Sequence, residues 1–482
     1  MRLCGSREFK MIFKTLDSAT VENIHKNSLE VLAQTGIAVD SDKALELLKA
    51  SGVRVTSDGG RHIAFLPEKL VEESLKTVPR SYVLYGRGKG VEARFERGNP
   101  PLFGPSGVPH LVFENETCTR RQAGINDYLA FIKLLDGLSN VDFISPPCTF
   151  TDLPEETIDF TTFFHLSNTT LKPFSIDFSN DYGFRAVLSA VEILKKSVYG
   201  GKPFVQFGFC PVISPLRLDH MGTDQLIDTA KAGIPVAPIS MAQSGVSAPV
   251  TLAGTLTLMN AEVLSVLVVS QLARPGAPFL YGTIPGSTNF MTGDMLTASP
   301  ELPLLNAAAT QMADYYGIPN WATAGRTDSK MLDIQAGYEQ ASSIPWVALA
   351  GATYISAVGG FLQSVNVLSL EKFVIDNEVV GLVKRILKGI GTDDDHFALG
   401  LIHSVGPGGN FLAEAHTVRH MRSEFHTSQI SESSYWEAWL ENGKPDALQR
   451  ARKKADDIIS SHAVPPLPDD IARKVKSILP NI

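Results

Sequence analysis

The first hundred residues carry apolar positions at helical spacing. Val21, Ile24, Val31 and Leu32 share one side of a stretch from 20 to 34 that Thr20 can cap and Gly36 can end. Ser41 can cap a second helix, with Ala44, Leu45, Leu47 and Leu48 inside and Gly52 at its end. Pro67 opens a third around Leu70, Val71 and Leu75. Short β segments at 82–85 and 92–95 predict a ribbon. From about residue 101 the rhythm changes. Eight short apolar runs rich in Val, Ile and Phe lie at 101–105, 141–146, 173–178, 203–209, 234–240, 278–282, 318–323 and 353–358. They alternate with helical stretches such as 188–196, 252–272, 302–316 and 331–349. Near-continuous apolar strands separated by helices predict a parallel sheet covered on both faces. Eight such units over ~260 residues predict a closed (β/α)8 TIM barrel. An open doubly wound sheet is the alternative, but no run opens into the GxGxxG turn of a nucleotide crevice. Beyond Leu370 helices are expected at 371–387, 396–405, 410–424 and 447–460, followed by Pro465, Pro466, Pro468 and a last short helix. The expected class is α/β: an N-terminal helical and β-ribbon cap (1–100), a barrel (101–369) and a C-terminal helical extension (370–482).

Composition narrows the setting. With 482 residues, 44% hydrophobic and 20% charged, the chain can bury a large core. A net charge of -8 lacks the basic footprint of a nucleic-acid binder. The longest apolar stretch, 261–273, is interrupted by Glu262, Ser265, Ser270 and Gln271. A membrane span needs ~20 mostly apolar residues, so this stretch reads as a buried helix. The opening MRLCGSREFKMIF is charged and has no apolar core, unlike a secretory signal, and Met11 offers an alternative start. Cys4, Cys118, Cys148 and Cys210 lie far apart with no CxxC. A disulfide framework is not expected, and a reducing cytoplasm is.

In a barrel of this kind chemistry sits at the carboxyl ends of the strands. Those ends are rich in aromatics, Gly, Ser and amides, and they hold no histidine and no carboxylate pair. Cys148 and Cys210 fall just beyond two runs without a histidine nearby, so they read as buried thiols rather than zinc ligands. Ser106 in GPSG departs from the GxSxG elbow and lacks a histidine partner. Phe178, Phe207, Tyr281 and Phe361 could instead offer ring faces to a quaternary ammonium, which cannot donate a hydrogen bond. Arg326 could clamp a carboxylate on the same ligand. Asp328, Gln206, Gln243 and Gln363 complete the candidate binding set. The competing reading makes the rings layer packing and Arg326–Asp328 an internal ion pair. In the tail, His416 and His420 share a helix face but no third metal ligand is evident.

Several stretches resemble a known family. They include IHKNSLEVLAQTGIAVD (24–40), VPRSYVLYGR (78–87), FGPSG (103–107), SPELPLLNAAATQMADYYGIP (299–319), TDSKMLDIQAGYEQ (327–340) and GPGGNFLAEAHTVRHMRSEF (406–425). These stretches run in order along nearly the whole chain and resemble the trimethylamine methyltransferase superfamily. The resemblance implies a (β/α)8 barrel that moves a methyl group from an amine to the Co(I) corrinoid (cobalamin) of a small corrinoid-binding protein. It also implies a homo-oligomer. The trimethylamine members carry pyrrolysine, expected near Arg326, whereas this chain has an ordinary residue at every position. Members without pyrrolysine resemble enzymes for quaternary amines, glycine betaine being the best-known case. The expectation is therefore methyl transfer from a quaternary amine, foremost glycine betaine, to a partner-bound corrinoid or free cob(I)alamin. Dimethylglycine would be released, with no pyrrolysine, no zinc and no catalytic acid or base. Proline betaine, carnitine or γ-butyrobetaine as substrate, or a non-catalytic betaine-binding barrel, are the alternatives.

Overall fold

The computed structural model describes residues 13–107 and 109–479. The opening segment with Cys4 and Met11 lies outside the described residues. The apolar runs become the staves of one barrel. Phe174–Ile176, Val205–Phe209, Val236–Ser240, Tyr281–Thr283, Asn320–Thr323 and Tyr354–Ser356 pair in parallel in that order, and the last pairs with Leu102–Gly104. The run at 141–146 closes the circle without forming a regular strand. Asp142 N donates to Phe103 O (2.7 Å) on one side, and Ile144 bridges Phe174 in parallel on the other. Pro146, which ends the run, and Pro147 after it have no N–H to extend the ladder.

Each strand alternates between helices and barrel interior. The interior toward the amino-terminal end is filled by Phe143, Ala237, Ile239, Leu280, Trp321 and Tyr354. The Ser81–Tyr85 and Glu92–Glu96 hairpin plugs that end, with Tyr82 and Phe95 stacked at 4.7 Å between centroids. Tyr82 Oη donates to Gln206 Oε1 at 2.7 Å, tying the plug to the barrel wall. The carboxyl end therefore remains as the open mouth.

The Leu252–Ala273 helix has the length and hydropathy of a membrane span, yet it is buried in protein almost all round. The N-terminal helices Ser18–Glu30 and Glu68–Thr77 cover its outer side. Asn260 on this helix reaches Ser28 Oγ (2.9 Å) and Tyr316 Oη (2.8 Å), and Glu262 accepts from Ser214 Oγ (2.9 Å) and Ser240 Oγ (2.5 Å), so these two polar side chains find partners within the wall.

Four further details differ from the sequence expectations. The first helix is capped by Asp17, whose Oδ1 accepts from Thr20 N at 2.7 Å, rather than by Thr20. Its last turn widens into a π turn at Val31–Thr35 before Gly36, at φ +75°, ends it. The cap also holds strands Ile37–Val39, Arg54–Asp58 and Arg61–Phe65, which the polar composition of RVTSD and RHIAF concealed. Ile37–Val39 pairs in parallel with Arg217–Leu218 from the loop after Val205–Phe209, so this sheet braces the mouth. The expected 396–405 helix is broken at Ala398 (φ +50°) into Asp394–Phe397 and Leu399–Val405.

Candidate active site

Two charged side chains at the mouth stand without partners. Asp177 follows the Phe174–Ile176 strand on its interior side. On the neighbouring strand a Cβ added at Gly208 would fall 1.8 Å from Asp177 Oδ1, so only glycine leaves that room. Among the described residues Asp177 accepts no hydrogen bond and forms no ion pair. Burial, aided by the nearby Asp159, pushes its carboxyl up to about 6. It keeps some accessible surface because it lines a cavity of about 440 Å³ with Cys148, Phe150, Leu153, Ile158 and Phe178. Asp159 lines the same cavity but is committed. Its oxygens accept from Ser179 N (3.0 Å), Ser179 Oγ (2.9 Å) and Asn180 N (3.3 Å).

Arg326 lies beyond the Asn320–Thr323 strand, on a stave opposite Asp177, and does not line that cavity. It is 8% exposed, and its Nε is buried without an acceptor. Burial pulls the guanidinium down to about 10 despite the attraction of Asp328. The internal ion pair with Asp328 does not form, because Asp328 is used elsewhere. It accepts from Thr297 N (2.9 Å), Thr297 Oγ1 (2.8 Å), Ala298 N (3.2 Å) and Ser364 Oγ (2.7 Å), joining three loops of the mouth. Asp328→Ala should cost ~1–3 kcal/mol by orphaning these donors. Denaturant unfolding reads the loss, and faster amide exchange at Thr297 and Ala298 localises it.

The loop that carries Arg326 is braced from outside the barrel. Glu339 accepts from Thr327 Oγ1 (2.5 Å) and Asp328 N (3.0 Å). Lys372 pairs with Asp376 in full burial and also donates to Gly325 O at 3.3 Å. Asp376 in turn accepts from Gly360 N (2.8 Å) and Gln340 Nε2 (2.5 Å). One buried pair thus holds the backbone immediately before Arg326 and before Phe361.

The other candidates separate. Phe178 lines the cavity, and Phe361 lies over Gly107 and Gly359 at the mouth. Phe207 and Tyr281 face the helices instead. Phe207 packs on Phe184 and Phe178, and Tyr281 Oη donates to Asn260 Oδ1 at 2.8 Å. A four-ring cage is therefore not assembled. Gln206 is occupied by the amino-terminal plug. Gln243 donates to Thr288 Oγ1 (3.0 Å) and Gln363 to Lys330 O (3.0 Å), so both amides link mouth loops. Asp177 was missed by the sequence reading; its signal is an inward strand-end carboxylate facing a glycine on the next strand.

Among the described residues, Cys118, Cys148 and Cys210 gather no ligand set. Cys148 is buried, which pushes its thiol up, and Cys210 Sγ contacts Met241 Sδ at 3.9 Å. The metal-type cluster found among the described residues is Asp395, His416 and His420 on the tail. Asp395 is the third group that the sequence did not reveal, with Oδ2 at 2.8 Å from His420 Nε2.

Residues 6–479 match the family described as trimethylamine methyltransferase (MTTB). The chain is 33% identical to a trimethylamine methyltransferase of Desulfitobacterium hafniense (strain DSM 10664 / DCB-2), over 95% of this chain and 91% of that protein. It is 29% identical to a glycine betaine methyltransferase of Desulfitobacterium hafniense (strain Y51), over 97% of this chain and 96% of that protein. Among solved structures, dihydropteroate synthase from Stenotrophomonas maltophilia shares 13% identity at a TM-score of 0.36, over 64% of this chain and all (100%) of that one. The parallel pairing of the strands itself defines the barrel. The chain belongs to the trimethylamine methyltransferase family and is a methyltransferase.

Proposed function

We propose that this methyltransferase takes a methyl group from a zwitterionic quaternary amine, foremost glycine betaine, and passes it to a corrinoid carried by a small partner protein. The observation that supports this reading most strongly is Arg326, a buried guanidinium with no anion of its own. Burying an unpaired charge is costly, so such a group is expected to meet its counter-ion in the ligand. The relative named for glycine betaine points the same way.

The corrinoid supplies a Co(I) nucleophile as methyl acceptor. The donor's N–CH3 bond breaks, its electron pair stays on nitrogen, and the new bond to carbon uses the acceptor's pair. A quaternary nitrogen thereby leaves as a neutral tertiary amine, and no proton has to move. The protein's task is to orient the donor and exclude water. Arg326 holds the carboxylate, which keeps its charge throughout, and so fixes the donor by a part that does not react.

The mouth suits a protein-borne acceptor. Met241, Val246, Phe290, Met291, Met331 and Ile334 stand exposed on the loops and helix starts around it. Such an apolar rim fits the docking of a partner that presents a broad cofactor. Cys118, Cys148 and Cys210 are unpaired, which fits a reducing cytoplasm. The test uses glycine betaine with deuterated methyl groups, the protein, and chemically reduced cob(I)alamin. Labelled methylcobalamin and dimethylglycine should appear in equal amounts. Their absence with every betaine tried would overturn the quaternary-amine reading.

A further inference from the structure

We infer that the cavity beside the second and third barrel runs is the cation pocket of the methyl donor, with Asp177 as its counter-charge. This deepens the quaternary-amine reading and rests on it.

The walls of the cavity suit that ligand. Phe150, Leu153, Ile158 and Phe178 provide apolar surface, and the volume of about 440 Å³ is that of a small-molecule site. A quaternary ammonium has no proton to donate. It is held by desolvation, ring faces and a charge acting through space. A carboxylate with no hydrogen-bond donor of its own is what such a cation requires. Asp177 meets this description, while Asp159 beside it is fully engaged by Ser179 and Asn180. A structural role does not account for Asp177, since it ties no loop and caps no helix. The space at Gly208 is a second sign, because the adjacent strand is hollow where the carboxylate lies.

The chemistry gives the residue a distinctive kinetic signature. Positive charge leaves nitrogen as the methyl departs, so Asp177 favours the bound donor more than the transition state. Asp177→Asn should raise KM for the donor and leave kcat unchanged or higher. Other titratable groups face Asp177 from every side: Asp159 and Glu155 on the Glu155–Thr169 helix, Cys148 after the second run, Cys210 after Val205–Phe209, and Tyr354 within the barrel. With its carboxyl near 6, Asp177 is charged at neutral pH and loses its charge as pH falls through that value.

The experiment measures choline against its neutral carbon isostere, 3,3-dimethylbutan-1-ol, by calorimetric titration of the full-length protein. Neither probe carries a carboxylate, so Arg326 does not enter. The wild type should bind choline roughly 30-fold more tightly than the isostere, and Asp177→Asn should bring the two within about threefold. No preference for choline in the wild type, or an unchanged preference in the variant, overturns the inference. Should the variant fail to fold, the wild type alone decides. Choline binding should weaken roughly tenfold from pH 7 to pH 5 while isostere binding stays level, and a flat choline profile overturns it. Failure of the underlying reading looks different, with a choline preference that depends on Asp177 but no methyl transfer from any quaternary amine.

Discussion

Arg326→Met is expected to lower kcat/KM for a betaine by roughly two to three powers of ten while leaving the free protein at least as stable. The two effects have one cause. In the free protein the guanidinium is buried without a partner, so replacing it with an apolar chain of similar length removes a desolvation penalty of ~1–3 kcal/mol. In the complex the same change deletes two charge-assisted hydrogen bonds to the carboxylate, worth about 3–4 kcal/mol together. Because the carboxylate keeps its charge in the transition state, the loss should fall mainly on KM. Arg326→Lys restores only part of it, since an ammonium cannot match a carboxylate with two parallel donors. Thermal unfolding with and without betaine reads both sides. The variant should lose the ligand-induced rise in Tm while its ligand-free Tm holds or rises. A variant that is less stable alone yet fully active would make Arg326 a structural residue.

Lys372→Met should have the opposite profile. Lys372 and Asp376 are a fully enclosed pair, with side chains 0% and 1% exposed. Removing the lysine strands Asp376 in the interior, which typically costs ~3–5 kcal/mol. It also frees Gly325 O, next to Arg326, and slackens Gly360 N, next to Phe361. Activity should therefore fall with stability. The double variant Lys372→Met/Asp376→Leu removes both charges and should recover much of the stability, although Gly325 O and Gly360 N stay unanchored. Recovered stability with depressed kcat/KM would show that the pair positions the mouth as well as stabilising the fold. An equal loss in single and double variants, read by denaturant unfolding, would contradict the coupling.

The barrel was legible because each stave is a short apolar run set between helices, and that periodicity survives errors of a residue or two. The site was less so, because inward and outward positions alternate with period two. Phe207 and Gly208 are neighbours, yet the ring packs on Phe184 and the glycine faces the interior. Tyr281 turned outward for the same reason. Arg326 stands out in the sequence by its place at a strand end, with an ion pair to Asp328 as its competing role. Its freedom from Asp328 could not be read locally, since that depends on Thr297 and Ser364 from two other loops claiming the carboxylate. Asp177 was overlooked because a lone carboxylate at a strand end looks solvated until the enclosing loop at 146–153 is in place. The cap strands Arg54–Asp58 and Arg61–Phe65 were hidden by their charged and polar residues, and the pairing of the short Ile37–Val39 with Arg217–Leu218 from the barrel could not be foreseen locally.

The central claim is that the donor nitrogen is already permanently charged when it meets the acceptor. The most direct measurement compares initial rates of cob(I)alamin methylation with glycine betaine and with trimethylamine, using one enzyme preparation under one set of conditions. Methylation from the betaine and none above background from trimethylamine is the predicted result. Transfer from trimethylamine with no transfer from the betaine would contradict it.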